Sequence, residues 1–138
     1  MTLASGLTME IAGDERIARV LRRSQDVAKS LGRVKYQAFM PAPDHETSVF
    51  RVTSLSDNEI REIAYANVPE KAKNGSAIFS ASAIRKTELS MQAIEPPPRH
   101  ANIINWSMDE DPQIRKSKRQ LAASILAEES KWLPDQLG

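Results

Sequence analysis

The stretch Ser48-Val49-Phe50-Arg51-Val52-Thr53-Ser54-Leu55-Ser56-Asp57-Asn58-Glu59 decides the fold class. Its first five residues are rich in β-branched and aromatic side chains, which favour a strand. Its last four residues match the capping box Ser-x-x-Glu, which predicts a helix that begins after Ser56 and runs to about Asn67. A strand followed so closely by a capped helix is typical of a domain that mixes both kinds of element.

Helical periodicity predicts two further helices. The first covers about Asp14–Leu31, where apolar residues share one stripe and Gly32 provides a stop signal. The second begins after the N-cap residue Asp111, has Pro112 at its first position, and carries an apolar stripe down to about Leu133.

Shorter patterns predict the strands and a rigid connection. Val34–Met40, Ala77–Phe79 and Glu88–Ile94 are β-prone, and the three prolines Pro96–Pro98 predict a stiff polyproline II segment. The predicted fold class is α+β, a small mixed or antiparallel sheet packed against about three helices. Residues 14–138 would form this single domain, and residues 1–13 would be an N-terminal tail or an edge strand.

The composition excludes several classes of protein. Hydrophobic residues make up 41% of the chain and charged residues 27%, which is typical of a globular domain. The absence of cysteine excludes disulfides, thiolate zinc sites and cysteine nucleophiles. No apolar run is long enough to span a bilayer, and Met1–Gly13 lacks the features of a signal peptide. We therefore expect a cytoplasmic protein that does not bind membranes.

Two polar stretches, Asp44–Arg51 and Arg99–Asn105, contain both histidines of the chain, His45 and His100. The first hypothesis is a non-catalytic accessory module that binds a partner protein, with or without a phosphate-bearing or nucleic-acid ligand. A second copy of the chain is a further candidate partner. The residues predicted to bind the partner or ligand are Thr47, Arg51, Arg99, His100, Asn102, Asn105 and Trp106. For the histidines, ordinary surface or loop-stabilising roles are the alternative interpretation.

The second hypothesis is a metal-independent phosphodiesterase or ribonuclease. One imidazole, His45 or His100, would take a proton from the attacking hydroxyl, and the other would give a proton to the leaving oxygen. The triplet His45-Glu46-Thr47 resembles one half of the His-x-Thr/Ser signature of two-histidine phosphoesterases. The corresponding second half, His100-Ala101-Asn102, carries an amide where that signature has a hydroxyl.

A wider resemblance involves Ser48-Val49-Phe50-Arg51 and Pro98-Arg99-His100-Ala101-Asn102-Ile103, followed by Trp106. In these motifs the chain is similar to a group of small bacterial proteins whose activity is not known. The resemblance implies an accessory role within phage defence or another multi-gene system, and it assigns no role to any residue.

A basic cluster near the N-terminus is the remaining candidate site. As a solvated face it needs no ligand, whereas as a nucleic-acid footprint it would use Arg16, Arg19, Arg22, Arg23 and Lys35. The formal net charge of +1 gives no global support for nucleic acid. The chain contains no phosphate-cradling or dinucleotide fingerprint and no His-x-x-x-His spacing, so the sequence predicts neither a cofactor nor a metal.

Overall fold

The computed structural model describes residues 2–135, and its centre is a six-stranded antiparallel sheet with strand order β6-β7-β4-β1-β5-β8. Two very short strands, β2 and β3, form a separate hairpin. The strands are β1 (Arg16–Val20), β2 (Val27–Ala28), β3 (Arg33–Val34), β4 (Thr47–Arg51), β5 (Ser76–Ser80), β6 (Ser90–Ala93), β7 (His100–Ile104) and β8 (Lys131–Leu133). The α helices are α1 (Asp57–Asn67) and α2 (Pro112–Glu128), and short 3-10 helices span Ser24–Asp26, Tyr36–Phe39, Ala72–Asn74 and Ala81–Lys86. The predicted α+β fold class is confirmed.

Both faces of the sheet are covered, by different helices. On the face that we call the α2 face, Ile17 of β1 and Val49 of β4 pack with α2 and with the 3-10 helix Tyr36–Phe39. On the opposite face, which we call the α1 face, Ala18 and Phe50 pack with α1. Side chains alternate along each strand, so neighbouring residues of β1 and β4 belong to separate cores.

The helix predicted after Ser56 is confirmed, together with its cap. The Ser56 hydroxyl accepts from the Glu59 backbone N–H at 3.2 Å, and the Glu59 carboxylate accepts from the Ser56 N–H at 3.0 Å. Ile60 and Ala64 are buried on the helix face that packs on the sheet. The capping box is a local interaction, which is why the sequence alone locates this helix so well.

The helix predicted over Asp14–Leu31 is wrong, because this segment contains β1, a 3-10 helix and β2. Strand β1 lies between β4 and β5, with Ile17 opposite both Arg51 and Phe79. Ile17, Val20 and Leu21 have the spacing of a helical stripe, but β1 buries residues on both of its faces. A strand buried on both faces loses the simple alternation that would have identified it.

The strand predicted over Val34–Met40 is also wrong for most of its length. Only Arg33–Val34 is extended, and Tyr36–Phe39 forms a 3-10 helix that packs on α2. Phe39 is buried there, and its ring meets the ring of Phe79 edge to face at a centroid distance of 5.5 Å. Tertiary packing, which a short β-prone run does not encode, decides the conformation of this segment.

The last helix begins as predicted but ends earlier. The Asp111 side chain accepts from the backbone N–H groups of Gln113 and Ile114, and the helix stops at Glu128. Lys131–Leu133 turns back and pairs with β5 as the edge strand β8. At Gly75, with φ of +81°, a Cβ atom would clash with the carbonyl oxygen of Leu133, so this close approach requires glycine.

The polyproline II prediction for Pro96–Pro98 is wrong as well. The three prolines form the turn of the hairpin that joins β6 to β7, closed by a hydrogen bond from the Ile94 N–H to the His100 carbonyl at 3.0 Å. Within residues 2–135, no helix is both long enough and apolar enough to cross a membrane.

Candidate functional site

The two motifs singled out in the sequence lie side by side on neighbouring strands. Strands β4 and β7 are antiparallel, with Ser48 opposite Asn102 and Phe50 opposite His100. All four side chains therefore point to the α1 face of the sheet. Helix α1 covers Phe50, whereas Ser48, His100 and Asn102 stay half-buried beyond the edge of the helix.

His100 is held in one orientation and one tautomer. Its Nδ1 lies 2.9 Å from the carbonyl oxygen of Ile94, and its Nε2 lies 2.7 Å from the hydroxyl oxygen of Ser48. Because a carbonyl can only accept, Nδ1 carries a proton; in the neutral imidazole Nε2 then accepts the hydrogen bond that Ser48 donates. The Phe50 ring stands edge to face against the imidazole, with the ring centroids 5.6 Å apart.

His45 lies on the other side of the sheet. It sits in the loop before β4 with φ of 66°, and its Nδ1 accepts from the guanidinium of Arg119 on α2 at 3.2 Å. Helix α2 packs on the face opposite to the one that carries His100. The two imidazoles therefore face different surroundings, and we do not propose the acid–base pair of His45 and His100.

Arg51 is an internal structural residue with only 1% of its surface exposed. Its guanidinium donates to both carboxylate oxygens of Glu15, at 2.8 and 2.9 Å, and to the backbone carbonyls of Thr8 and Glu10. Burial raises the pKa of Glu15, but the hydrogen bonds from Arg51 and Ala12 and the charge of Arg51 lower it further, so the net shift is downward. Arg51 thus joins the N-terminal segment to the sheet.

Four other predicted site residues also make internal contacts. Thr47 is buried and donates to the Phe39 carbonyl at 2.8 Å, and Trp106 is buried and donates to the Ile103 carbonyl at 3.2 Å. The Asn105 amide donates to the Ser90 hydroxyl. The Arg99 guanidinium donates to the Arg51 carbonyl, and the Arg99 backbone N–H donates to the Glu95 carboxylate. We assign none of these four side chains to the site described next.

A cleft opens where β1 and β4 diverge. These strands pair only at Ile17–Arg51 and Ala18–Phe50, and beyond that point the Arg19 guanidinium bridges the gap. Its Nε donates to the Ala38 carbonyl at 2.8 Å, and one terminal nitrogen donates to the Ser48 carbonyl at 2.9 Å. The cleft, which we call the arginine cleft, has a volume of about 550 Å³ and is lined by Arg19, Arg22, Arg23, Asp26, Gln37, Met40, Pro41, Ala42, Asp44, Glu46, Ser48, Lys71 and Asn102.

Four cations, Arg19, Arg22, Arg23 and Lys71, line the arginine cleft together with three carboxylates. Burial, the repulsion from Arg22 and, more weakly, that from Arg23 lower the pKa of Arg19 to about 10, against an opposing effect of Asp26. The guanidinium is still protonated at neutral pH, but its charge is poorly compensated. Arg23 forms an ion pair with Asp26 at 3.2 Å, whereas Arg19, Arg22 and Lys71 have no such partner among residues 2–135.

Hydrogen-bond acceptors occupy other parts of the same lining. Asp44 and Glu46 contribute carboxylates, and Glu46 also accepts from the Asn102 amide at 3.1 Å. The Oε1 atom of Gln37 is buried without a hydrogen-bond partner among the described residues. Buried acceptors are usually satisfied, so this oxygen suits a donor group on a ligand.

The sequence predicted part of this lining and missed the rest. The predicted site residues that line the cleft are Asn102, Arg19, Arg22 and Arg23. The predicted residues Arg16 and Lys35 lie outside the arginine cleft. Lys71 and Ser48 were not predicted. Lys71 comes from the turn after α1, and only the tertiary fold brings it to β4. The sequence places Ser48 in a strand close to Phe50, without a role in the site.

Comparisons with known protein families, with characterised proteins and with solved structures give no match to this chain. Within residues 2–135, no group of three or more histidine and carboxylate side chains is placed to hold a metal ion. The proposed function therefore rests on the geometry of the arginine cleft and of the residues beside it.

Proposed function

We propose that the protein is a binding module for a phosphate-bearing ligand, which it holds in the arginine cleft. The observation that carries this proposal is the convergence on one cleft of three cations, Arg19, Arg22 and Lys71, that have no ion-pair partner among residues 2–135. Guanidinium groups match the geometry of phosphate oxygens and form strong charge-assisted hydrogen bonds with them. A volume of about 550 Å³ lies within the usual range for small-molecule sites.

The acceptors in the lining indicate what else the ligand carries. An ionised phosphate offers few protons to Asp44, Glu46 or the side-chain oxygen of Gln37. A sugar hydroxyl or an amine on the same molecule would supply such donors. The best ligand class is therefore a phosphate ester of a polar molecule, which includes nucleotides and sugar phosphates.

Calorimetric titration tests this proposal directly. With inorganic pyrophosphate as the probe, we expect saturable 1:1 binding with a dissociation constant below about 1 mM, corresponding to about −4 kcal/mol. The affinity should fall as salt is raised, because the cleft is open to solvent and ions screen its cations. The absence of saturable heat at low ionic strength would contradict the proposal.

A second candidate function, protein–protein association, is favoured by the exposed side of α2. Ile114 is 46% exposed and Leu121 is 66% exposed, and at helical spacing they share a stripe with Lys118, Ile125 and Glu128. The occupant that fits this α2 stripe is a second copy of the chain. An antiparallel pairing that sets Leu121 of each copy against Ile125 of the other also sets Lys118 against Glu128, so the stripe is self-complementary.

Replacement of Leu121 by aspartate is expected to abolish this association, because it places a carboxylate in each of the two apolar contacts with Ile125. Light scattering coupled to size exclusion should show a concentration-dependent dimer for the wild type and a monomer for Leu121→Asp. Ser30→Asp, an exposed position in the turn between β2 and β3, is the matched control and should behave as the wild type. A wild type that stays monomeric at all concentrations would exclude this role for α2.

A further inference from the structure

We propose that Ser48 and His100 form a nucleophile–base pair that cleaves phosphate esters held in the arginine cleft. This inference deepens the proposed function, on which it depends for the substrate class. It replaces the two-histidine mechanism with a serine and one histidine, which the fold brings together from β4 and β7.

The first argument is the hydrogen bond between the two side chains. At 2.7 Å the Ser48 oxygen lies within the range in which a base takes a proton from a nucleophile. The Ile94 carbonyl fixes the proton of His100 on Nδ1, which leaves the Nε2 lone pair directed at the Ser48 hydroxyl. The neutral imidazole is therefore in the tautomer that a general base requires.

The second argument is the support behind the imidazole. Nucleophilic sites usually contain a third group that orients the base. Here the Ile94 carbonyl accepts from Nδ1 at 2.9 Å, and the Phe50 ring limits rotation of the imidazole. The Ile94 carbonyl belongs to the hairpin between β6 and β7, and Phe50 belongs to β4. The imidazole is therefore oriented before any substrate binds.

The third argument is the position of the pair relative to the cations. Ser48 and Asn102 both line the arginine cleft, and their side chains share the α1 face with His100. Lys71, in the turn after α1, and Arg22 line the same cleft, and in this proposal they hold the non-bridging oxygens of a phosphate next to Ser48. Cations in these positions stabilise the negative charge that develops on a phosphoryl group in the transition state.

The reaction proceeds in two balanced steps. The Ser48 oxygen attacks phosphorus while its proton passes to Nε2 of His100, and the bond from phosphorus to the ester oxygen breaks. His100 gives that proton to the departing alcohol. Water then attacks the phosphoserine, His100 takes one proton from the water and returns it to the Ser48 oxygen, and the phosphate product leaves.

Labelling with diisopropyl fluorophosphate tests the inference on the intact protein. In this reaction the Ser48 oxygen bonds to phosphorus, fluoride leaves, and the proton is taken up by His100. We expect mass spectrometry of peptides to locate the adduct on Ser48, at a rate at least about 100-fold above that of the exposed Ser30, because general-base catalysis contributes a factor of this size. The variant His100→Gln should lose about the same factor while its circular dichroism stays unchanged.

The outcomes separate the two proposals. A protein that binds pyrophosphate but acquires no adduct at Ser48 would overturn the nucleophile–base pair and leave the binding function standing. An adduct whose rate does not change in His100→Gln would also overturn it, because His100 would then not be the base. An adduct at Ser48 without any binding of pyrophosphate would support the pair and contradict the phosphate cleft.

Discussion

Replacement of Arg51 by alanine is expected to lower the free energy of unfolding by about 3–5 kcal/mol, the usual cost of removing one partner of a buried ion pair. Glu15 would lose its cationic partner, and the carbonyls of Thr8 and Glu10 would lose a donor. Truncation would also leave a cavity in place of the largest side chain that the fold buries completely. The N-terminal segment should then detach from the sheet.

Urea denaturation followed by circular dichroism measures this effect. Arg16→Ala is the matched control, because Arg16 lies on the neighbouring strand but is exposed, and it should change stability by less than about 0.5 kcal/mol. Equal losses in the two variants would show that the buried ion pair is not important for the fold.

The pKa of Glu15 is lowered in the folded protein. The ionised Glu15 carboxylate therefore stabilises the fold above the ordinary pKa of 4.5, and this stabilisation is lost as the pH falls through the lower folded pKa. Arg51→Ala should lack this acid-dependent loss.

Reversal of the charge at Arg22 is expected to weaken pyrophosphate binding at least about 100-fold. Arg22→Glu removes a charge-assisted hydrogen bond, worth about 1.5–3 kcal/mol, and adds repulsion between the carboxylate and the phosphate. Arg22 forms no ion pair among residues 2–135, so its replacement should leave the fold intact.

Lys35→Glu is the matched control for this experiment. It makes the same change in net charge at an exposed basic residue that lies outside the arginine cleft. Calorimetry should show a loss of less than about threefold for Lys35→Glu, which reflects only the long-range change in potential. A similar loss in both variants would mean that pyrophosphate responds to net charge and not to the cleft.

The parts of the fold that the sequence predicted are those determined by local interactions. The capping box at Ser56, the N-cap at Asp111 and the β-prone side chains around Phe50 specify α1, the start of α2 and β4. Strand β1 was predicted as a helix because it is buried on both faces, so its apolar pattern reflects two cores. Strand β8 was predicted as helix because the free edge of β5, which recruits it, is distant in sequence.

The candidate site shows the same division between local and long-range information. His100 and Asn102 stood out because they follow three prolines, and the arginines stood out as a basic cluster. Their relation to Ser48, 52 residues from His100, depends on the register of β4 against β7. That register also turns Arg51 away from His100, because the two residues lie on opposite faces of the sheet.

The most direct test of the phosphate-binding proposal is a nitrogen-15 NMR titration of the wild-type protein with pyrophosphate. We predict saturable shifts of the Arg19 Nε–H signal and of the backbone amides of Arg22, Ser48 and Asn102, all with one dissociation constant. Shifts confined to the basic part of α2, at Arg115–Arg119, or no saturable shifts at all, would contradict the assignment of the arginine cleft as the ligand site.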